Sequence, residues 1–153
     1  MVVVCDTSVI TTLLKTGDEG ILQRLYLSVH VPTAVKDELL LFHSELPSFI
    51  EIHPVGDKSR LKDFEKGLGR GEADAIALAL DLEAALFLSD DRKAISVARK
   101  LGLESSGLIG VAIEAKELGL ISSVRVFIER LEGVGGLYVS EDVKLKAFGI
   151  AGE

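Results

Sequence analysis

Short apolar runs alternate along the chain with stretches of helical periodicity, and no other feature of the sequence restricts the fold as much. In chain order, the runs of strand length cover residues 1–5, 29–31, 50–53, 84–88 and 102–104. The first and fourth are fully apolar, and the other three, which contain His or Glu, are weaker strand candidates. Strands that are apolar on both faces are typical of parallel sheets with helices on either side. The alternation therefore predicts an α/β fold, a three-layer α/β/α arrangement around a central parallel sheet.

Between the runs, apolar residues recur at helical spacing. The pattern predicts helices over 7–15, 18–25, 33–43, 57–66, 72–83, 92–100, 108–118, 122–131 and 141–148, and a short closing strand over 137–139. A length of 153 residues is usual for one domain, so residues 1–153 are expected to form a single domain. The start of the chain lacks the pattern of a signal peptide, and no apolar stretch is long enough to span a bilayer. We expect a cytoplasmic protein without a membrane partner.

Carboxylates follow two of the predicted strands directly. Asp6 follows the first run, and Asp90 and Asp91 follow the fourth run after Ser89. Ligands of open α/β sheets bind beyond the carboxyl ends of the strands, so these acids are predicted to share one edge of the sheet. An aspartate at the end of a strand is also a common helix N-cap, and for each acid taken alone that role stays open.

Two further carboxylates lie on predicted helices. Asp74 begins a helix that has no polar residue on any face over 75–80, which predicts that its side chain is buried. A buried ionised carboxylate needs a partner charge or a metal ion, whereas Glu72 beside it is explained by the helix dipole. Glu38 shares a helix face with apolar side chains. A glutamate at the edge of a buried face, with its carboxylate in solvent, would fit the same pattern, so a role in a site stays open.

Several carboxylates in one cleft repel one another unless they are protonated or bridged by a cation. Ligand sets made only of oxygen suit Mg²⁺ or Mn²⁺, and such sites commonly carry metal-assisted phosphoryl transfer. The formal net charge of −7 excludes a uniformly basic nucleic-acid surface. Local basic residues near the predicted site are Lys66, Arg70, Arg92 and Lys93.

Four segments resemble the signature motifs of PIN-domain nucleases and occur in the order of that family. They are VVVCDTS at 2–8, VPTAVKDEL at 31–39, GEADAIALA at 71–79 and LSDDR at 88–92. The tail of the chain is similar to a less studied prokaryotic branch of the superfamily that contains the VapC-like toxins. Taken together, the motifs identify the chain as a member of the PIN superfamily.

The resemblance implies a PIN-like fold and a Mg²⁺- or Mn²⁺-dependent endoribonuclease that hydrolyses RNA. It implies four residues that are both catalytic and metal-binding, namely Asp6, Glu38, Asp74 and Asp91. Glu72 and Asp90 are further candidate ligands, and Ser8 and Ser89 are candidate donors that orient Asp6 and Asp91. Family members are often homodimers, and many are toxins inhibited by a small antitoxin protein, so both partners are expected here.

Other classes fit the residues less well. A phosphatase with Asp6 as nucleophile would carry a second aspartate two residues later, where this chain has Ser8. A receiver-like domain would carry paired acids near the first strand, where Asp6 stands alone. A non-catalytic PIN-like module that binds nucleic acid or protein stays the alternative to the nuclease.

Overall fold

A five-stranded parallel sheet forms the middle layer of the molecule in a computed structural model that describes residues 1–64 and 66–153. The strands lie in the order β3-β2-β1-β4-β5. Their bounds are β1 Val3–Cys5, β2 Val29–Pro32, β3 Ile50–His53, β4 Leu86–Leu88 and β5 Ser105–Ser106. The all-parallel order confirms the predicted sheet.

Helices cover both faces of the sheet and complete the predicted three layers. The described residues contain eight α-helices: α1 Thr7–Thr16, α2 Gly20–Tyr26, α3 Thr33–Leu40, α4 Arg70–Asp81, α5 Arg92–Lys100, α6 Leu108–Glu117, α7 Val124–Gly133 and α8 Glu141–Ala151. Over these ranges no helix has the length and apolar character needed to cross a membrane.

The apolar runs become the core because both sides of the sheet are covered. Val3, Val4 and Cys5 of β1 are fully buried, as are Phe87 and Leu88 of β4. Helix α4 packs against β1 and β2, and its residues 74–79 are all buried. The buried stretch begins at Asp74, so the prediction that the Asp74 side chain is buried is confirmed.

The strand order places a crevice between β1 and β4. Strand β1 leads through α1 and α2 to β2 on one side, whereas β4 leads through α5 to β5 on the other. The carboxyl ends of two neighbouring strands whose connections leave in opposite directions form the usual ligand site of such sheets. The pairing continues one residue past the strands, because the Asp6 amide donates to the Leu88 carbonyl at 3.1 Å.

The helix predicted over 57–66 is wrong in the part that the structure describes; Glu65 lies outside the described residues. Only a 3₁₀ turn forms there, at Ser59–Leu61. The carboxylate of Asp57 accepts hydrogen bonds from the amide and the hydroxyl of Ser59 at 2.8 and 2.9 Å. Such local bonds satisfy the backbone without a helix and compete with helix formation.

Two predicted strands also differ from the structure. The strand expected over 102–104 forms instead at Ser105–Ser106, because the Leu103 amide donates to the Ala98 carbonyl and completes the end of α5. Residues 137–139 form no strand and connect α7 to α8. The helix predicted over 33–43 ends at Leu40, which leaves Phe42 exposed.

Candidate active site

Asp6 is the buried centre of the crevice, with 1 % of its surface exposed. Its Oδ1 accepts hydrogen bonds from the Ser8 hydroxyl at 2.7 Å and the Val9 amide at 3.4 Å, and its Oδ2 accepts one from the Ser89 hydroxyl. Burial nevertheless raises the pKa of Asp6 to about 6, because it outweighs these hydrogen bonds and acts together with the nearby charge of Asp90. The ionised form is therefore costly here, and an added cation would stabilise it.

Two serines connect the ends of β1 and β4 through Asp6. The Ser89 hydroxyl donates to Asp6 and its oxygen accepts the Asp91 amide at 3.0 Å. The Ser8 hydroxyl likewise donates to Asp6 and accepts the Asp90 amide at 3.3 Å. Both serine side chains thus hold the Asp6 carboxylate, and the loop after β4 is tied to them by its backbone.

Asp90 turns away from Asp6 toward the start of α6. Its Oδ1 accepts the Leu108 amide at 3.0 Å, and a Cβ at Gly107 would lie 2.4 Å from the same oxygen, so only glycine permits this approach. Its Oδ2 is buried and has no hydrogen-bond partner within the described ranges. Burial raises the pKa of Asp90, although the bond from Leu108 opposes this. Asp90 is therefore a half-buried acid with one buried oxygen that lacks a partner.

Asp91 begins helix α5. Its Oδ1 accepts the Ala94 amide at 2.8 Å, which makes it the N-cap of that helix. Asp6 caps α1 in the same way. Both strand-end aspartates thus have the capping role that the sequence left open, and both also lie at the edge of the sheet where ligands bind. Capping engages only the Oδ1 atom of Asp91.

Glu38 lies between the first turns of α1 and α4. Its Oε2 accepts a hydrogen bond from the Thr7 hydroxyl, next to Asp6 in the chain. A Cβ at Gly71 would lie 2.4 Å from Glu38 Oε1, so the carboxylate sits directly against the backbone of α4. This contact brings a residue of α3 to the edge that Asp6 occupies.

Asp74 is on the same face of α4 as Gly71, three residues later. It is buried, as predicted, with 6 % of its surface exposed. Its Oδ1 accepts a hydrogen bond from Lys58 Nζ at 2.8 Å. Lys58 lies just before the 3₁₀ turn. Sequence analysis missed its contact with Asp74, because the pattern around Lys58 predicts a helix and the two residues are 16 positions apart.

Glu72 completes the acidic edge. Its carboxylate folds back toward Gly69 at the start of α4, where a Cβ would lie 2.3 Å from Glu72 Oε2. Glu72 and Glu38 line one side of an open cleft of about 490 Å³ that also contains Lys15 and the exposed ring of Phe42. Both glutamates are partly exposed to solvent in this cleft.

The predicted residues assemble as two neighbouring groups. Asp6, Asp90 and Asp91 surround the serines at the ends of β1 and β4, and Glu38, Glu72 and Asp74 lie around the first turns of α4. Across residues 1–64 and 66–153, no three His, Cys, Asp or Glu side chains are arranged to hold a metal ion. The oxygen-only donors, the costly charge of Asp6 and the unpartnered Asp90 oxygen nevertheless fit Mg²⁺ or Mn²⁺ in kind.

Comparison with protein families gives a match over almost the whole chain. Residues 2–153 match the family DUF3368, which is described as a PIN domain. A comparison with curated proteins gave no match. PIN domains are generally nucleases, so a match to a PIN domain indicates a nuclease-type fold. With 152 of its 153 residues matched, the chain belongs to the DUF3368 family of PIN domains.

Proposed function

We propose that the protein is a Mg²⁺- or Mn²⁺-dependent endoribonuclease that hydrolyses phosphodiester bonds of RNA. The observation that carries the proposal is the buried Asp6 carboxylate at the junction of β1 and β4, whose pKa is raised to about 6 although three groups donate to it. A buried carboxylate whose ionised form is unfavourable lowers the stability of a fold, so a purely structural role does not explain it. Such a carboxylate is typical of a site that binds a cation.

Asp6 and Asp91 would hold the divalent cation together with Glu38 of α3 and Asp74 of α4. Bound Mg²⁺ or Mn²⁺ supplies an activated water and stabilises the negative charge that develops on the phosphate. The hydroxyls of Ser8 and Ser89 fix the direction of the Asp6 carboxylate, as partners of metal ligands generally do. Asp90 and Glu72, one in each group, are further candidate ligands.

The open cleft beside Glu38 and Glu72 is the proposed path of the RNA. Lys15 in that cleft offers a charge for phosphate, and the Phe42 ring offers a face on which a base can stack. With a net charge of −7 the protein binds a polyanion only where such local groups or bound cations offset the repulsion.

The remaining parts of the proposal follow from the resemblance to toxin nucleases. The protein would act in the cytoplasm as a homodimer. As a member of a toxin–antitoxin pair, it would be inhibited by a small antitoxin protein.

The test is cleavage of a mixed RNA pool by the purified protein with Mn²⁺ or Mg²⁺, with EDTA, and with the variants Asp6→Asn and Asp74→Asn. We expect metal-dependent cleavage that falls at least about 100-fold in each variant, because each substitution removes a charged oxygen from the site. Asp142→Asn, an exposed change on α8, is the matched control and should cleave like the wild type.

Cleavage that persists in EDTA, or in both site variants, would contradict the proposal. Lack of both cleavage and Mn²⁺ binding would favour the non-catalytic PIN-like module instead. The ion pair between Lys58 and Asp74 supports that alternative, because it neutralises a buried acid without a metal ion.

A further inference from the structure

The ion pair between Lys58 and Asp74 joins two side chains in very different surroundings. The Asp74 side chain is 9 % exposed, whereas that of Lys58 is 46 % exposed. Within the described residues, Lys58 provides the one hydrogen bond to the Asp74 carboxylate, at 2.8 Å. The carboxylate is therefore buried in the protein, whereas the ammonium that pairs with it is at the end of a long side chain exposed to solvent.

The backbone around Lys58 is held against α4 on both sides. Before it, the Gly56 amide donates to Asp81 Oδ2 at 3.4 Å, near the end of α4. After it, Leu61 of the 3₁₀ turn is fully buried. The 3₁₀ turn itself contacts α4. These contacts keep the ammonium within reach of Asp74 and leave the side chain free to move.

A buried carboxylate without a compensating charge is strongly unfavourable. In the metal-free protein Lys58 supplies that charge at Asp74. Lys58 bonds only the Oδ1 atom of Asp74. A divalent cation on either oxygen of that carboxylate would lie close to the ammonium and repel it, so the two cations compete for one carboxylate.

We propose that Lys58 is an internal competitor of the divalent cation: it neutralises Asp74 in the metal-free protein and leaves when the metal binds. This inference rests on the proposed metal-dependent function and makes Lys58 a positioning residue. The Lys58 ammonium then stabilises the site when no metal is bound. It also lowers the affinity of the site for the metal below that of the carboxylates without Lys58.

The test measures Mn²⁺ affinity of the RNA-free protein from the free Mn²⁺ signal in electron paramagnetic resonance. Lys58→Met should bind Mn²⁺ roughly 3- to 10-fold more tightly than the wild type, since the competing charge is gone. Lys58→Arg keeps the charge and should bind like the wild type. Lys62→Met removes an exposed lysine of the same segment that does not bond to Asp74, and it should change the affinity little.

A second readout separates competition from a merely structural role. In EDTA, Lys58→Met should melt below the wild type, because Asp74 is then buried without a partner charge. Saturating Mn²⁺ should remove that difference. A variant that stays equally destabilised with Mn²⁺ would show that Lys58 only supports the fold, and would overturn the inference.

Equal or weaker Mn²⁺ binding by Lys58→Met would also overturn it. If the wild type at the same time binds Mn²⁺ and cleaves RNA, only this inference fails and the proposed nuclease stands. If neither the wild type nor Lys58→Met binds Mn²⁺, the proposed function fails, and the inference fails with it.

Discussion

Two carboxylates in this molecule accept several hydrogen bonds each at the start of a helix, and their acidities shift in opposite directions. Asp6 accepts bonds from two serines and a backbone amide of α1, and its pKa is raised to about 6. Glu153 accepts bonds from Lys116, Ser123 and two amides of α7, and its pKa is lowered to about 2.

The difference lies in burial and in the presence of a cation. Glu153 has the ammonium of Lys116 at 2.9 Å and keeps contact with solvent, so its ionised form is favoured. Asp6 is buried, receives only neutral donors and has the charge of Asp90 nearby. Hydrogen bonds alone therefore do not make a carboxylate stabilising. We therefore expect ionised Glu153 to add to the stability of the fold and ionised Asp6 to lower it.

The largest expected effect comes from Asp6→Asn in EDTA at pH 8. The folded protein binds the Asp6 proton more tightly than the unfolded chain does, because the pKa rises from 3.8 to about 6 on folding. The proton on Asp6 stabilises the folded protein fully below pH 3.8, and this stabilisation is lost as the pH rises through about 6. Above that range the ionised Asp6 lowers the free energy of unfolding of the wild type by up to about 3 kcal/mol. Urea unfolding should show Asp6→Asn to be more stable by about 2 kcal/mol.

The same pair of proteins provides its own control at low pH. Near pH 3.5 both the folded and the unfolded wild type carry a largely neutral Asp6, and the difference in unfolding free energy between the two proteins should shrink toward zero. An asparagine variant that is less stable at pH 8 would show that the three hydrogen bonds outweigh burial. In that case Asp6 would belong with Glu153 as a structural acid.

A smaller effect of the opposite sign is expected for Glu153→Gln. The pKa of Glu153 is lowered from 4.5 to about 2, so its stabilisation is present above pH 4.5 and is lost as the pH falls toward 2. Thermal melts should show the variant below the wild type at pH 7 and equal to it near pH 2. Glu117→Gln, at an exposed position of α6, should melt like the wild type at both pH values.

The sequence predicts the burial of these acids much better than the contacts that they make. The valines of β1 and the apolar helix α4 determine the sheet and the burial of Asp74, because long apolar runs have few ways to avoid water. The contacts of Ser89 with Asp6 and of Lys58 with Asp74 join residues 83 and 16 positions apart. Such contacts depend on register and on side-chain reach, which leave no periodic pattern in the sequence.

The smallest effect expected is that of Gly71→Ala, which decides whether Glu38 is held as firmly as Asp6. A methyl group at Gly71 would lie 2.4 Å from Glu38 Oε1, the far end of a flexible side chain. Gly149→Ala is the matched control, since it lies in α8 with no atom within 4 Å, and it should gain about 0.5–1 kcal/mol from helix propensity.

If Glu38 moves aside, Gly71→Ala should leave the unfolding free energy within about 0.5 kcal/mol of the wild type, because the gain in helix propensity offsets the loss of the bond from Thr7. A loss of about 2 kcal/mol or more in urea unfolding would instead mean that the carboxylate cannot yield. Glu38 would then be fixed by the fold as Asp6 is. The expected small change would group Glu38 with Asp74, as a carboxylate whose present partner is replaceable, which is what the proposed metal site requires of both residues.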